Sequence, residues 1–255
     1  MSDQGRFIWY ELMTPDVAAA KAFYASVLGW SANDMPDMSY TVMNAGAAGV
    51  AGVMGLPDAL RAQGVPPNWT GYVAVDDVDA AGRKLESLGG SVQKAPQHIP
   101  GVGRFAVIAD PHGAVFNIMT PLPRDDVQPH PARGAPGYAG WRELMAGDLA
   151  ADWPFYVEMF GWAQTGEHDM GPMGVYRLFG NQDGEVGGMM TRPEQMPVSA
   201  WAYYFEVDDI HAAARRVAEA GGQVRNGPME APDGSWVLQG ADPQGAAFGL
   251  VSTRR

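Results

Sequence analysis

The chain contains no cysteine, which excludes a disulfide framework, a thiolate metal site and a cysteine nucleophile. Lysine is almost as scarce, with Lys21, Lys84 and Lys94 the only three in 255 residues. With 17 basic residues against 29 acidic ones and a net charge of −12, the chain lacks the clustered cations that neutralise phosphates or grip an anionic membrane. Neither nucleic acid nor a membrane is therefore expected as a partner. No apolar run approaches the length of a bilayer span. The acidic start MSDQ leads into a strand-like pattern rather than a signal peptide. The expectation is a cytoplasmic globular protein, monomer or homodimer, whose partner is a small molecule. An apolar fraction of 46% is enough for a sizeable core.

What is present is present twice. A shift of 132 positions lays Trp9–Trp30 on Trp141–Trp162 without a gap, and 11 of those 22 residues are identical. The same shift superposes Trp69 on Trp201, Tyr72 on Tyr204, Val75-Asp76-Asp77 on Val207-Asp208-Asp209 and Gly89-Gly90 on Gly221-Gly222. It also brings Asp110-Pro111-His112-Gly113-Ala114 onto Asp242-Pro243-Gln244-Gly245-Ala246. Repetition at one offset over most of the chain marks a duplication. The register slips only in the middle, where Glu167–Gly174 lengthens a loop of the second copy. Between the copies lie Pro121, Pro123, Pro129, Pro131 and Pro136, the composition of an extended linker. The expected domains are 5–121 and 138–253, joined by a linker at 122–137.

Within a copy the periodicity switches between strand and helix. Phe7–Met13 alternates, with Ile8, Tyr10 and Leu12 on one face and Phe7, Trp9, Glu11 and Met13 on the other. Asp16 suits an N-cap for a helix over 17–28 that Gly29 closes. Strands are expected near Tyr40–Asn44, Val50–Met54 and Thr70–Val75. A second helix capped by Asp76 or Asp77 then runs to Leu88. Strands at Gln93, Phe105–Ala109 and Ala114–Met119 complete the copy. Each copy reads βαβββ-βαβββ, an α+β pattern in which strands outnumber helices.

Phe-Tyr near the first helix end, Leu-Gly-Trp after it, Val-Asp-Asp before the second helix, Gly-Gly after it and Asp-Pro-x-Gly-Ala in the last hairpin resemble the vicinal-oxygen-chelate superfamily. That superfamily includes glyoxalase I, bleomycin-resistance proteins and extradiol dioxygenases. The resemblance implies two tandem domains, each a pair of βαβββ units whose curled mixed sheets enclose a small-molecule cavity. It also implies one divalent metal per site, held by His and Glu side chains from the strands. Carried over position by position, those ligands become Trp9 and Trp141, Thr70 and Ala202, and Asn117 and Gly249. The remaining one falls near Gly52 or Val53, and near Gly187 or Gly188. None is His, Asp or Glu, so no metal and no other cofactor is expected.

The five histidines do not substitute: His98 and His168 are expected in loops, His112 in a turn, His130 in the linker and His211 early in a helix. His112 has a further reading as a general base, weakened by its counterpart Gln244. Glu11 and Glu143 follow two residues after the lost first-strand ligand, so alternation points them the same way. They are the candidate catalytic bases or partners for a cationic ligand. Alternatively, each is a buried carboxylate satisfied by Arg, Tyr or backbone donors. Glu206 shares the parity of Tyr204, and is either a charged pocket group or a partner of Arg177. Arg104 could bind an anion or neutralise Glu11. Trp9, Tyr72, Trp141 and Tyr204, with Thr70 and Asn117, are candidate ligand-binding residues. Trp69 and Trp201 belong either to the same aromatic cage or to the core. Two functions compete: a metal-free small-molecule binder, and a glyoxalase-type lyase, isomerase or dioxygenase-like enzyme with a cavity Glu as base.

Overall fold

A computed structural model describes residues 2–123 and 134–254. The expected linker residues 124–133, with Pro129, His130 and Pro131, lie outside the described residues. The first copy runs β1 (Phe7–Thr14), α1 (Val17–Leu28), β2 (Ser31–Met35), β3 (Tyr40–Ala45), β4 (Ala48–Gly55), α2 (Asp58–Ala62), β5 (Asn68–Ala74), α3 (Val78–Ser87), β6 (Ser91–Ile99), β7 (Gly103–Ala109) and β8 (Val115–Pro121). The second runs β9 (Ala139–Ala146), α4 (Leu149–Phe160), β10 (Ala163–Asp169), β11 (Val175–Asn181), β12 (Gly184–Thr191), β13 (Ala200–Glu206), α5 (Ile210–Glu219), β14 (Gln223–Glu230), β15 (Trp236–Ala241) and β16 (Ala247–Ser252). Among the described residues the strands form two mixed sheets of identical order, β2-β3-β4-β1-β5-β8-β7-β6 and β10-β11-β12-β9-β13-β16-β15-β14. The fold is α+β, as the doubled βαβββ pattern requires.

Each long helix starts on an aspartate: Asp16, Asp77, Asp148 and Asp209 accept hydrogen bonds from backbone N–H groups of the first turn. Gly29 and Gly161 close α1 and α4 with φ of 71° and 70°, the left-handed conformation that a Cβ disfavours. Several elements differ from expectation. β2 is exposed at every residue and so carries no alternation to read. His98 lies on β6 and His168 on β10, not in loops. Strand pairing, which polar residues join through their backbones, overrode the polar composition of both segments.

By packing, the chain divides into two compact units. One comprises Met1–Ile8, Thr70–Val127 and Arg142–Trp201; the other comprises Trp9–Trp69, Gln128–Trp141 and Ala202–Arg255. Each therefore draws on both copies. In the second of these, Tyr24 on α1 donates to Asp242 at 3.2 Å and accepts from Trp69 Nε1 at 2.8 Å. Trp30 donates to the Gly137 carbonyl at 2.7 Å. The other unit repeats the arrangement: Tyr156 on α4 donates to Asp110 at 2.9 Å, and Trp162 donates to the Gly5 carbonyl at 2.7 Å.

The aspartates also cap their own turns. Asp110 accepts from the N–H of His112 and Ala114, and Asp242 from those of Gln244 and Ala246. Around each tyrosine the indoles pack face and edge: Tyr156 stacks on Trp162 at 5.4 Å, and Tyr24 meets Trp69 edge-on at 5.2 Å. The repeated motifs are thus the joints of the two cores. Trp69 and Trp201 are buried there and contribute to the core.

Candidate functional site

The sheet face bearing Glu11 is built by three strands of one unit. β1 and β4 run parallel with Glu11 opposite Gly52, and β3 lies antiparallel on the other side of β4. A Cβ on Gly52 would stand 1.7 Å from the Tyr40 hydroxyl. Tyr40 therefore occupies the space a β4 side chain would take. Its hydroxyl accepts from Trp9 Nε1 at 2.8 Å and is hydrogen-bonded to the Glu11 carboxylate. Burial, and then the Glu11 charge, push the Tyr40 phenol well above its ordinary range.

The other unit holds the counterpart. Glu143 on β9 stands opposite Gly188 on β12, and a Cβ on Gly188 would lie 2.2 Å from the Tyr176 ring. The Tyr176 hydroxyl donates to Glu143 Oε1 at 2.9 Å, with Glu143 only 8% exposed. Beside it, the Arg177 guanidinium lies over the Trp153 ring at 5.3 Å. Two buried or half-buried carboxylates are each satisfied by a tyrosine from the same structural place. Sequence reasoning missed Tyr40 and Tyr176. Their signal was a glycine at the fourth ligand position and a tyrosine near the start of the preceding strand, hidden because the register slips between the copies.

The remaining candidates fall on β5, β8, β9, β13 and β16. Tyr72 pairs with Asn117, and the Asn117 amide donates to Thr70 Oγ1 at 3.2 Å. The Tyr72 ring lies against Phe105 at 5.9 Å, with Lys94 Nζ 5.6 Å from the Phe105 ring centre. In the other unit Tyr204 pairs with Gly249, and a Cβ there would sit 2.2 Å from the Tyr204 ring. Gln239 donates to the Tyr204 hydroxyl at 2.6 Å. Glu206 is 3% exposed, passes over Gly140 and accepts from Gly134 N at 3.1 Å, a placement that ties it to the chain entering β9. Trp141 lies half-buried on β9.

One expectation needs correction. Arg104 makes a two-point ion pair with Asp79, at 2.8 and 2.9 Å, so it neutralises that aspartate and holds its carboxyl below the usual range. The same place in the second copy holds His211 and Trp236, whose rings meet at 5.6 Å. There a ring contact has replaced the ion pair. His112 Nδ1 lies 2.6 Å from Asp152 Oδ1, and Asp152 is fully buried. This histidine is thus tied into the core of its unit, and the Asp152 hydrogen bond raises its pKa.

The donor chemistry does not fit a family metal. The positions that the resemblance assigns to the ligands hold Trp9, Thr70, Asn117 and either Gly52 or Val53 in the first copy, and Trp141, Ala202, Gly249 and either Gly187 or Gly188 in the second. Trp, Gly and Ala side chains offer no ligand atom, and hydroxyl or amide oxygens are weak substitutes for imidazole and carboxylate. At Gly52, Gly188 and Gly249 the adjoining space is taken by a tyrosine. Among the described residues, no three His, Asp or Glu side chains group as a metal site would require.

Comparison with known proteins agrees with the doubled pattern. The model of the Glyoxalase/Bleomycin resistance protein/Dioxygenase superfamily matches residues 6–118 and again 138–250. The anthracycline biosynthesis protein DnrV of Streptomyces peucetius is 34% identical over 268 residues, covering 96% of this chain and 92% of that protein. CFP32 of Mycobacterium tuberculosis, named as a glyoxylase, is 33% identical over 257 residues, covering 97% of this chain and 95% of its own length. Among solved structures, the Mn(II)-bound glyoxalase of Novosphingobium aromaticivorans superposes with a TM-score of 0.64 at 17% identity, over 100% of this chain and 83% of that one. The 2,3-dioxygenase LapB of Pseudomonas sp. KL28 gives 0.67 at 12% identity, over 100% and 94%. Likeness at that identity speaks for the fold alone. Two family matches spanning both copies, and relatives a third identical along nearly the whole length, establish that this chain belongs to the Glyoxalase/Bleomycin resistance protein/Dioxygenase superfamily.

Proposed function

We propose that this protein binds a small organic molecule without a metal, through the carboxylate and aromatic side chains that stand at and beside the family's ligand positions. The observation that carries this reading is the repeated Glu–Tyr pair, Glu11 with Tyr40 and Glu143 with Tyr176, each set against a glycine that gives the tyrosine room. A carboxylate hydrogen-bonded to a phenol is an acceptor group whose charge favours a cationic or hydroxylated ligand. Trp9, Tyr72, Trp141 and Tyr204 supply flat apolar surface for its rings. Thr70 and Asn117 supply hydrogen bonds, and Glu206 adds negative charge.

The name of the Streptomyces relative points to planar aromatic compounds as the class to try first. A basic substituent on such a compound would meet Glu11 or Glu143. The test is a calorimetric titration of the metal-free protein with an anthracycline, alongside turnover of the methylglyoxal–glutathione adduct with and without added divalent ions. Saturable binding without turnover is expected. Turnover that depends on stoichiometric, tightly held metal would overturn the reading.

A second reading shares the same observation. A carboxylate hydrogen-bonded to a tyrosine is placed to move a proton, as a glyoxalase-type lyase or isomerase would need. Glu143→Gln separates the two. Under the binding reading it weakens affinity for a cationic ligand by about tenfold, the scale of one charge-assisted hydrogen bond. Under the enzymatic reading it abolishes turnover while binding persists.

A further inference from the structure

We infer that the depression between α1 and the β2–β3 hairpin is a further binding site, for a small zwitterion with an apolar side chain, of the α-amino acid class. A cavity of about 360 Å³ opens there, within the roughly 300–1,000 Å³ of small-molecule sites. Val17 and Lys21 of the helix line it, with Asp34, Met35, Ser39 and Thr41 of the hairpin. Tyr40 also borders it. Asp34 and Thr41 stand opposite each other across β2 and β3, one residue out of step with Tyr40. Their side chains therefore lie on the sheet face turned away from the Glu11–Tyr40 pair. The site is separate from that of the function proposed above, and its test is independent of that function.

The polar side of the cavity is one ion pair. Lys21 Nζ donates to both Asp34 oxygens, at 2.6 and 2.9 Å, and Thr41 Oγ1 donates to Asp34 Oδ1 at 2.6 Å. Lys21 first, and then Thr41, hold the Asp34 carboxyl below its usual range. At neutral pH the cavity thus carries one full charge of each sign. The pair is open to solvent, its side chains 24% and 57% exposed, and exposed pairs of this kind are weakly held. A zwitterion can exchange with it at no net cost in charge. Its carboxylate takes an N–H of Lys21, and its ammonium takes an acceptor site of Asp34. A ligand of one sign satisfies one partner and opposes the other. Val17 and the exposed Met35 supply apolar walls for the side chain. Ser39, an exposed lining residue, lies at φ of 50°, the left-handed region that few non-glycine residues adopt. Strained backbone of this kind collects at ligand clamps.

The second copy lacks this arrangement. The shift of 132 puts Trp153 at the place of Lys21, and the residue after Tyr176 is Arg177, where Thr41 follows Tyr40. The guanidinium lies over the indole at 5.3 Å. A cation stacked on a ring does not offer two opposite charges side by side, so one site per chain is expected.

The probe is radiolabelled L-leucine, measured against the full chain by equilibrium dialysis. One equivalent bound per chain is expected. 4-Methylpentanoate, which lacks the ammonium, and 3-methylbutylamine, which lacks the carboxylate, should each compete at least tenfold more weakly than unlabelled leucine. Lys21→Met and Asp34→Asn should each weaken leucine binding at least tenfold, with the thermal transition within a few degrees of wild type because the pair is exposed. Val17→Trp, which fills the cavity and leaves both charges in place, should do the same. Arg177→Gln, in the second copy, should leave the affinity unchanged. No saturable binding of leucine at millimolar concentration would overturn the inference. So would equal competition by the singly charged analogues, or binding that survives Lys21→Met and Asp34→Asn but is lost in Arg177→Gln. Each of these results leaves the function proposed above standing.

Discussion

At the scale of single residues, chemistry at one position depends on what its neighbour leaves empty. Gly52 and Gly188 matter because they lack a side chain: each makes room for the tyrosine that satisfies a glutamate. Replacing Gly188 by Ala would drive a methyl group into the Tyr176 ring, 2.2 Å away, and break its hydrogen bond to Glu143. Overpacking of this kind costs about 1–3 kcal/mol, readable as a lowered denaturant midpoint. The histidine of the Asp-Pro-His-Gly turn gives a second prediction. His112 is raised in pKa chiefly by its hydrogen bond to Asp152. A group whose pKa is higher in the folded state stabilises fully below its unfolded value, about 6.5 for histidine. That contribution is lost as pH rises through the folded value. His112→Gln, which installs the residue found at the matching position 244, should therefore flatten the fall in thermal stability above about pH 6.5. An unchanged pH profile would show that the pair does not couple to folding.

At the scale of elements, the recurring aspartates were legible as helix starts because an N-cap needs only a short acceptor at a fixed offset. Asp209 accepts from Ala212 N at 2.7 Å, and its pKa is lowered by that bond. Asp209→Ala should lower the denaturant midpoint, as the loss of a cap does, measured by chemical denaturation at neutral pH. The alternation in β1 was legible for the same local reason. β2 was not, since a strand exposed on both faces imposes no hydrophobic period. Nor could spacing reveal Tyr40 and Tyr176 as partners of Glu11 and Glu143. They lie 29 and 33 residues further along the chain, and strand pairing alone brings them together.

At the scale of the whole molecule, the duplication has a physical consequence. In each packed unit a tyrosine from one copy bonds an aspartate from the other: Tyr24 with Asp242, and Tyr156 with Asp110. A fragment of residues 1–123 would retain Tyr24 and Asp110 but lose both partners. Two such fragments can restore the bonds reciprocally, Tyr24 of each to Asp110 of the other. The fragment should accordingly run as a homodimer in light scattering, and Tyr24→Phe should weaken that dimer. A stably folded monomer would contradict the expectation.

The sequence by itself determined the family, the doubling and the α+β pattern, because each depends on local residue type and on a repeat that can be counted. Tertiary structure alone decided which half packs with which, which tyrosine satisfies each glutamate, and that Arg104 is taken by Asp79. Those outcomes depend on which distant strands and helices meet, and a linear pattern does not encode the closeness of residues that only folding brings within a few ångströms.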